Sequence, residues 1–245
     1  MAEDHEQRLD EALRELDEAR EGLRRSGEHL TLFAGQVSHE LRTPLTAILA
    51  NAEMLASEPA VGDSEDLSWM VGGIVRAANR MKVMIEQMLD YAREGGELSV
   101  GVTDLSRVFE TAAEDLAPVI SQLRAVVKVE DLPRLPADRS QLYAVALNLL
   151  SNALKFTRPD ASPRIDVSAE RLETGWRVSV TDNGIGVAPE RREAMFVLFA
   201  RADKRVEGSG IGLATAKRVV EAHGGRIGMD EADGGGTTVW FELPA

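Results

Sequence analysis

The chain of 245 residues has no cysteine at all. That excludes disulfides, thiolate metal sites and cysteine nucleophiles, and it fits a reducing compartment. Histidine is nearly as scarce, and the four present, His5, His29, His39 and His223, are too scattered to form a metal constellation of their own. No apolar run approaches the roughly 20 residues that a membrane-spanning helix needs, and the N-terminus is charged rather than signal-like. The expectation is a cytoplasmic protein, or the cytoplasmic part of something larger. Positive charge is also in deficit. A formal net charge of -13 argues against a nucleic-acid backbone as partner, although a local basic pocket for a phosphate ligand is compatible with it. Hydrophobic content of 44% and charged content of 28% are ordinary for a soluble protein of one large or two small domains.

What is present begins with a helix-forming stretch rich in Glu, Asp, Arg and Ala. Large apolar residues recur every seven positions at Leu9, Leu16, Leu23, Leu30 and Val37, with Leu13, Ala34 and Leu41 between them. This spacing predicts a short parallel coiled coil, weakened where Arg20 and Gly27 fall on its seam. His39 lies two residues from both Val37 and Leu41, so at about 100° per residue it points away from the seam. Glu40 is beside it, Thr43 follows one turn later, and Pro44 ends or kinks the helix. Ser57 to Ser64 has turn composition, and Ser64 or Asp66 is placed to cap a second helix. That helix carries Leu67, Val71, Ile74, Ala78, Met81, Ile85, Met88 and Ala92 at alternating steps of four and three. Two antiparallel helices cannot cover both apolar faces, so a homodimer forming a four-helix bundle completes them. Gly95 and Gly96 serve as a hinge. The domains expected are 1–30, an N-terminal coiled-coil signalling helix; 31–95, a dimerising helical hairpin; and 98–245, an α/β sandwich with a mixed sheet.

In the last part, Asp104 caps a helix running to about Gln122, and Ala125 to Glu130 reads as a strand before a Pro-interrupted turn. Asp138 or Ser140 opens an apolar helix through Phe156. Ile165 to Leu172 and Trp176 to Thr181 form a hairpin. Pro189 starts a short helix, Gly212 to His223 forms another, and Arg226 to Met229 and Thr237 to Leu243 are the last strands. The three tryptophans read as core or interface residues, and His223 as a helix C-terminal cap. One mixed sheet with helices on one face is the simplest assembly.

Four motifs follow one another in this part. N-L-L-S-N-A-L-K-F-T puts Asn148, Asn152 and Lys155 on one helix face, a set suited to hydrated Mg²⁺ and a phosphate chain. D-N-G-I-G, Asp182 to Gly186, sets a carboxylate at a strand end where it can accept from an exocyclic amine. G-S-G-I-G-L, Gly208 to Leu213, opens a helix whose backbone amides can hold phosphate. G-G-G-T-T, Gly234 to Thr238, enters the last strand. Each glycine string alone is compatible with an ordinary turn; the four in order are not a chance assembly. The dinucleotide fingerprint and the lysine-bearing phosphate loop are both absent.

Together with S-H-E-L-R-T-P-L around His39 and F-V-L-F-A-R from Phe196 to Arg201, these strings resemble the boxes of bacterial two-component sensor histidine kinases. The likeness covers the dimerisation and histidine phosphotransfer domain and the catalytic ATP-binding domain. It implies that His39 is the phosphoacceptor for the γ-phosphoryl group of ATP, with Glu40 as proton acceptor or ring holder and Thr43 orienting water to dephosphorylate a response regulator. It further implies Asn152 as main Mg²⁺ ligand with Asn148 assisting, Lys155 on phosphate, and Arg201 on the γ-phosphate. Asp182 would bind the adenine amine, Phe156 would stack on the ring, and Thr237 would lie near the base. Gly184, Gly186, Gly208, Gly210, Gly212 and Leu213 would line the nucleotide. Implied partners are a second copy, a response-regulator receiver and an upstream sensor acting through the N-terminal helix. The chain departs from the family in having Phe156 where tyrosine is common, a short Ala202 to Glu207 stretch that implies a small lid, and no sensor, transmembrane or receiver segment. The last departure leads us to expect part of a longer protein or a kinase dependent on a partner. Two alternatives remain: an ATPase of the same nucleotide-fold group, which would carry glutamate where Asn148 stands, and a nucleotide-binding dimeric scaffold without phosphotransfer.

Overall fold

The structure, a computed structural model, describes residues 41–93, 98–200 and 209–245. The chain divides into two compact units, Met1–Gly96 and Glu97–Ala245. The expected coiled coil over 1–30, His39, Glu40, the Gly95–Gly96 hinge, Arg201, the Ala202–Glu207 stretch and Gly208 lie outside the described residues.

In the first unit, α1 spans 41–56 and runs helical straight through Pro44. Thr46 Oγ1 donates to the Arg42 carbonyl at 2.8 Å. The expected turn contains a single helical turn, α2 (Pro59–Gly62), with proline at its start where a missing N–H costs nothing. Helix α3 (Glu65–Arg93) follows, its first turn capped by Ser64, whose Oγ accepts the Leu67 amide at 3.4 Å. Glu65 and Asp66 add negative charge at the positive end of its dipole.

The seven-residue period splits the apolar residues of this unit into two sets. Leu45 and Ala52 on α1, and Val71 and Ala78 on α3, are buried. Leu41, Ile48 and Leu55 on α1, and Leu67, Ile74 and Met81 on α3, form parallel rows left 45–50% exposed. Trp69 belongs to neither set, because it sits opposite the α3 seam and is 75% exposed; of the core or interface expectation for it, the core half is corrected.

The second unit opens with β1 (Gly101–Asp104), α4 (Leu105–Asp115) and α5 (Ala117–Leu123). The expected single helix breaks at Leu116 because Pro118 cannot continue the hydrogen-bond ladder. Asp104 caps α4 as expected, accepting the Arg107 amide. Next come β2 (Val126–Val129), β3 (Arg134–Ala137) and α6 (Arg139–Lys155). They are followed by β4 (Arg164–Arg171), β5 (Gly175–Asp182), α7 (Pro189–Arg192) and a 3-10 turn at Glu193–Phe196. The unit closes with α8 (Gly212–Ala222), β6 (Arg226–Glu231) and β7 (Thr237–Pro244).

Five strands form one mixed sheet in the order β2-β4-β5-β7-β6, with β2 and β4 parallel and the other pairs antiparallel. The strands β1 and β3, which the sequence did not reveal, pair antiparallel in a separate ribbon, where Thr103 Oγ1 donates to the Ala137 carbonyl at 2.8 Å. Pro136 is tolerated there because β3 has only one neighbour in a two-stranded ribbon.

The alternating apolar residues of the strands, Ile165, Val167, Val178, Val180, Phe241 and Leu243, share a core with α4, α6 and α8. Phe109 stacks on Phe241 with ring centres 6.4 Å apart. On the opposite face Trp240 covers Gly228, lies against the Arg177 guanidinium at 4.6 Å, and donates Nε1–H to Asp230 at 2.6 Å. No helix among the described residues is long and apolar enough to cross a membrane.

Candidate functional site

Helix α6 positions the first group of candidate residues. Its N-terminus is fixed by Asp138, whose carboxylate accepts the amides of Ser140 and Gln141. Three turns on, Asn148 donates Nδ2–H to the Ala144 carbonyl at 2.9 Å. That bond turns its Oδ1 toward the start of α8, and a Cβ at Gly212 would lie 2.5 Å from this oxygen. Glycine at 212 is therefore what lets α8 begin against Asn148. Asn152 is half-buried, and its carbonyl accepts the Phe156 amide at 3.1 Å. Lys155 holds its ammonium 5.6 Å from the centre of the half-buried Phe156 ring.

The second group is brought together by strand register. Asp182 ends β5 directly opposite Thr237, the first residue of β7, so D-N-G-I-G and G-G-G-T-T meet although 55 residues separate them. Asp182 Oδ1 accepts the Gly184 amide at 2.8 Å and the Thr237 amide at 3.2 Å. Burial pushes the Asp182 carboxyl above the ordinary carboxylate range, and those two amides and the Arg158 guanidinium offset it only in part. A Cβ at Gly184 would lie 2.2 Å from the Phe156 carbonyl oxygen. Only glycine lets the Asp182 turn close on the end of α6, and Ile185 N–H then bonds that same carbonyl at 3.0 Å. Gly186 lies against the Gly236 backbone, and Thr237 is buried.

The third group is the loop entering α8. Phe199 N–H donates to the Gly210 carbonyl at 2.9 Å, which joins the segment after the 3-10 turn to the glycine string. Phe199 adopts φ 66°, a region that bulky residues enter only when the surroundings hold them there. Ser209 Oγ accepts the Ile211 amide at 3.2 Å. Leu213 packs against the core. Phe196 is buried. Thr43 lies exposed on α1, in the other unit.

Two contributors were missed in the sequence and a third was read only in part. Asn183 binds the start of β4, its Oδ1 accepting from Arg164 N at 2.8 Å and its Nδ2 donating to the Ser162 carbonyl at 3.0 Å. His223 was read as a helix cap only. Its Nδ1 bonds the Val219 carbonyl at 2.8 Å, while Nε2 accepts the Asp138 amide at 3.0 Å. Arg158 follows N-L-L-S-N-A-L-K-F-T without a break, and that adjacency was the available signal.

In chemical terms, one end of the sheet combines a hydrogen-bond acceptor in a sheltered position, backbone at close approach, an aromatic ring and an ammonium. The amides at the start of the 11-residue helix α8 complete it. A flat amine-bearing base with a phosphate chain suits that combination.

The chain is similar to known proteins in both of its units. Residues 29–97 match the His Kinase A (phospho-acceptor) domain, and residues 137–245 match the histidine kinase-, DNA gyrase B- and HSP90-like ATPase domain. The chain is 33% identical over 233 residues to the phytochrome-like protein Cph1 of Synechocystis sp., covering 94% of this chain and 31% of that protein. It thus spans about a third of that relative's length. Among solved structures, full-length ShkA in complex with AMPPNP aligns with a TM-score of 0.67 at 30% identity, over 88% of this chain and 46% of that one. The mycobacterial sensor histidine kinase MprB aligns with a TM-score of 0.52 at 31% identity, over 59% of this chain and 97% of that one.

Proposed function

The chain belongs to the sensor histidine kinases, and from that membership we propose that it is an ATP-dependent protein histidine kinase. It phosphorylates its own His39, passes the group to an aspartate of a response regulator, and removes it again from that regulator. The observation that carries this reading is the meeting of Asp182, Gly184 and Thr237 at one strand end beside Phe156, a base site assembled from separate motifs.

In this reading Asp182 accepts the adenine amine, and Phe156 covers the ring. Lys155 and the amides opening α8 hold the phosphates, with Arg201 on the γ-phosphate. Gly186, Gly208, Gly210, Gly212 and Leu213 leave room for the nucleotide. The amide oxygens of Asn152 and Asn148 are hard donors that fit Mg²⁺, and the Asn148 bond to Ala144 leaves its own oxygen at the start of α8, where the phosphates would lie. Bound there, Mg²⁺ would neutralise charge between the phosphates. A bare imidazole nitrogen of His39 attacks the γ-phosphorus. An N–P bond forms as the O–P bond to the β-phosphate breaks, ADP leaves, and Glu40 takes or holds the proton on the other ring nitrogen. Thr43, one turn away, orients water for hydrolysis of the regulator's phosphoaspartate. ATP as donor places the reaction in the cytoplasm.

The exposed rows Leu41, Ile48, Leu55 and Leu67, Ile74, Met81 support a homodimer, since a second copy would bury both and complete a four-helix bundle. The seven-residue repeat of Leu9, Leu16, Leu23 and Leu30 in the sequence supports an upstream sensor acting through the N-terminal stretch.

The test is incubation with Mg²⁺ and γ-labelled ATP, with light scattering on the same preparation. We expect a dimer that gains an acid-labile, base-stable label, and no label in His39→Ala. Label that persists in His39→Ala, or nucleotide hydrolysis with no phosphoprotein, overturns the assignment.

A further inference from the structure

None of the motifs includes Arg158, yet it touches two of them. It is half-buried just past the end of α6. Its Nε donates to the Gly184 carbonyl at 2.9 Å. Its Nη2 occupies the space a side chain would need at Gly235, 2.2 Å from a Cβ built there. Gly235 has φ 90°, so both its backbone and its neighbour call for glycine. One guanidinium thus connects three segments remote in sequence: the exit from α6, the turn after β5 and the glycine-rich turn before β7. The latter two carry the groups that meet at Asp182 Oδ1.

We propose that Arg158 is a positioning residue for the nucleotide base: it clamps the turn that carries Asp182 in the shape that accepts an adenine amine. The inference rests on reading residues 98–245 as an adenine-nucleotide unit. A guanidinium suits the task because it is planar, always charged and offers donors in a fixed fork. It holds the loop by a directed bond while its charge acts on the neighbouring carboxylate. Around Asp182 the groups acting on the carboxyl are the Gly184 and Thr237 amides and Arg158, and Arg158 is the only one of these that bears a charge. Losing that charge leaves burial less opposed, so the carboxyl takes up its proton at a higher pH. A protonated Asp182 is a poorer acceptor for an amine, and base binding weakens with it.

The experiment measures ADP affinity by calorimetry from pH 5 to pH 8.5 for the wild-type chain, Arg158→Gln and Arg158→Lys, with melting curves to establish that each is folded. Wild-type affinity should fall on acidification. For Arg158→Gln the fall should begin at higher pH, so that its deficit grows from about threefold in base to about tenfold in acid. Arg158→Lys should keep the wild-type pH profile with an affinity several-fold lower throughout, because it has the charge without the fork. If Arg158→Gln does not fold, Gly235→Ala is the second route, since its methyl displaces Nη2 and should lower affinity as Arg158→Lys does. A Gln profile parallel to wild type, or a Gly235→Ala affinity equal to wild type, overturns the role of Arg158. Wild-type protein that binds no ADP at any pH overturns the nucleotide reading instead.

Discussion

At the first turn of α6 Asp138 is buried with 5% of its surface exposed. It accepts hydrogen bonds from Ser99 N, Ser140 N, Ser140 Oγ and Gln141 N. Beside the last turn of the same helix, Asp182 is only half-buried and accepts two, both on Oδ1. Burial alone would raise both carboxyls. At Asp138 the bonds from Ser140, Ser99 and Gln141 outweigh it and hold the group below the usual carboxylate range. At Asp182 the two amides and Arg158 do not, and the group stays above it. The sign of the shift follows the balance between desolvation and donors, which four hydrogen bonds tip one way at Asp138 and two amides with Arg158 fail to tip at Asp182. A carboxylate saturated by its own protein is a structural cap. One held above its range with accepting capacity in reserve is built for something that arrives later.

The largest effect expected from breaking this contrast is at Asp182. Because its folded pKa is raised, its contribution to stability is present below the unfolded value near 4 and is lost as pH rises through the folded value. At neutral pH its ionised form therefore costs the nucleotide-free protein stability, and an adenine amine offsets that cost. Asp182→Asn keeps an oxygen for the two amides but offers the base a donor in place of an acceptor. We expect adenine-nucleotide affinity to drop about 10- to 100-fold, the scale of one charge-assisted hydrogen bond. The nucleotide-free variant should melt above wild type at pH 7.5, and the gain should vanish as pH approaches 4. A variant that binds ATP normally, or that melts lower at neutral pH, would break the contrast.

Asp138 should respond the other way. Asp138→Ala removes a helix cap, worth about 1–2 kcal/mol, and also leaves the Ser99 amide without its acceptor. The melting temperature should fall by several degrees, while nucleotide affinity measured well below the melt stays within about threefold. The depressed pKa sets the pH window: this stabilisation is present above the unfolded value near 4 and is lost as pH falls through the folded one. Wild type and Asp138→Ala should thus converge only in strong acid. An affinity loss as large as that of Asp182→Asn would show that the two ends of α6 are not separable.

Legibility in the sequence followed locality. The Asp138 cap, α6 and the β4–β5 hairpin were readable because each rests on neighbours a few residues apart: a capping side chain, an apolar period or a short turn. The α3 seam was readable as a spacing, but the spacing did not reveal that Val71 and Ala78 turn inward while Leu67, Ile74 and Met81 remain exposed. The β1–β3 ribbon escaped notice because its partners are about 30 residues apart, as Asp104 and Arg134 are, and Pro136 argued against a strand. Within the candidate site, Asp182 was conspicuous at a strand end before glycines. Its bond to Thr237 depends on the β5–β7 register, which no local pattern carries, and Arg158 falls just outside the motif string that ends at Thr157.

The smallest expected effect concerns His223, which joins the C-terminus of α8 to the same cap. Its Nε2 accepts the backbone amide of Asp138 rather than meeting the carboxylate, and its Nδ1 bond to Val219 O fixes the tautomer that leaves Nε2 bare. His223→Phe keeps a ring there and leaves the Val219 carbonyl its bond from the residue 223 amide, so only the Asp138 amide must find another partner. The cost should be about 1 kcal/mol, one ordinary hydrogen bond with little net worth beyond it. Since the Asp138 amide survives in Asp138→Ala, the two losses should add, with a coupling under about 0.5 kcal/mol in a double-mutant cycle read by denaturant melts. A larger coupling would mean that ring and carboxylate act as one unit, so that the N-terminal end of α6 is held by a network whose members depend on one another rather than by a count of independent donors.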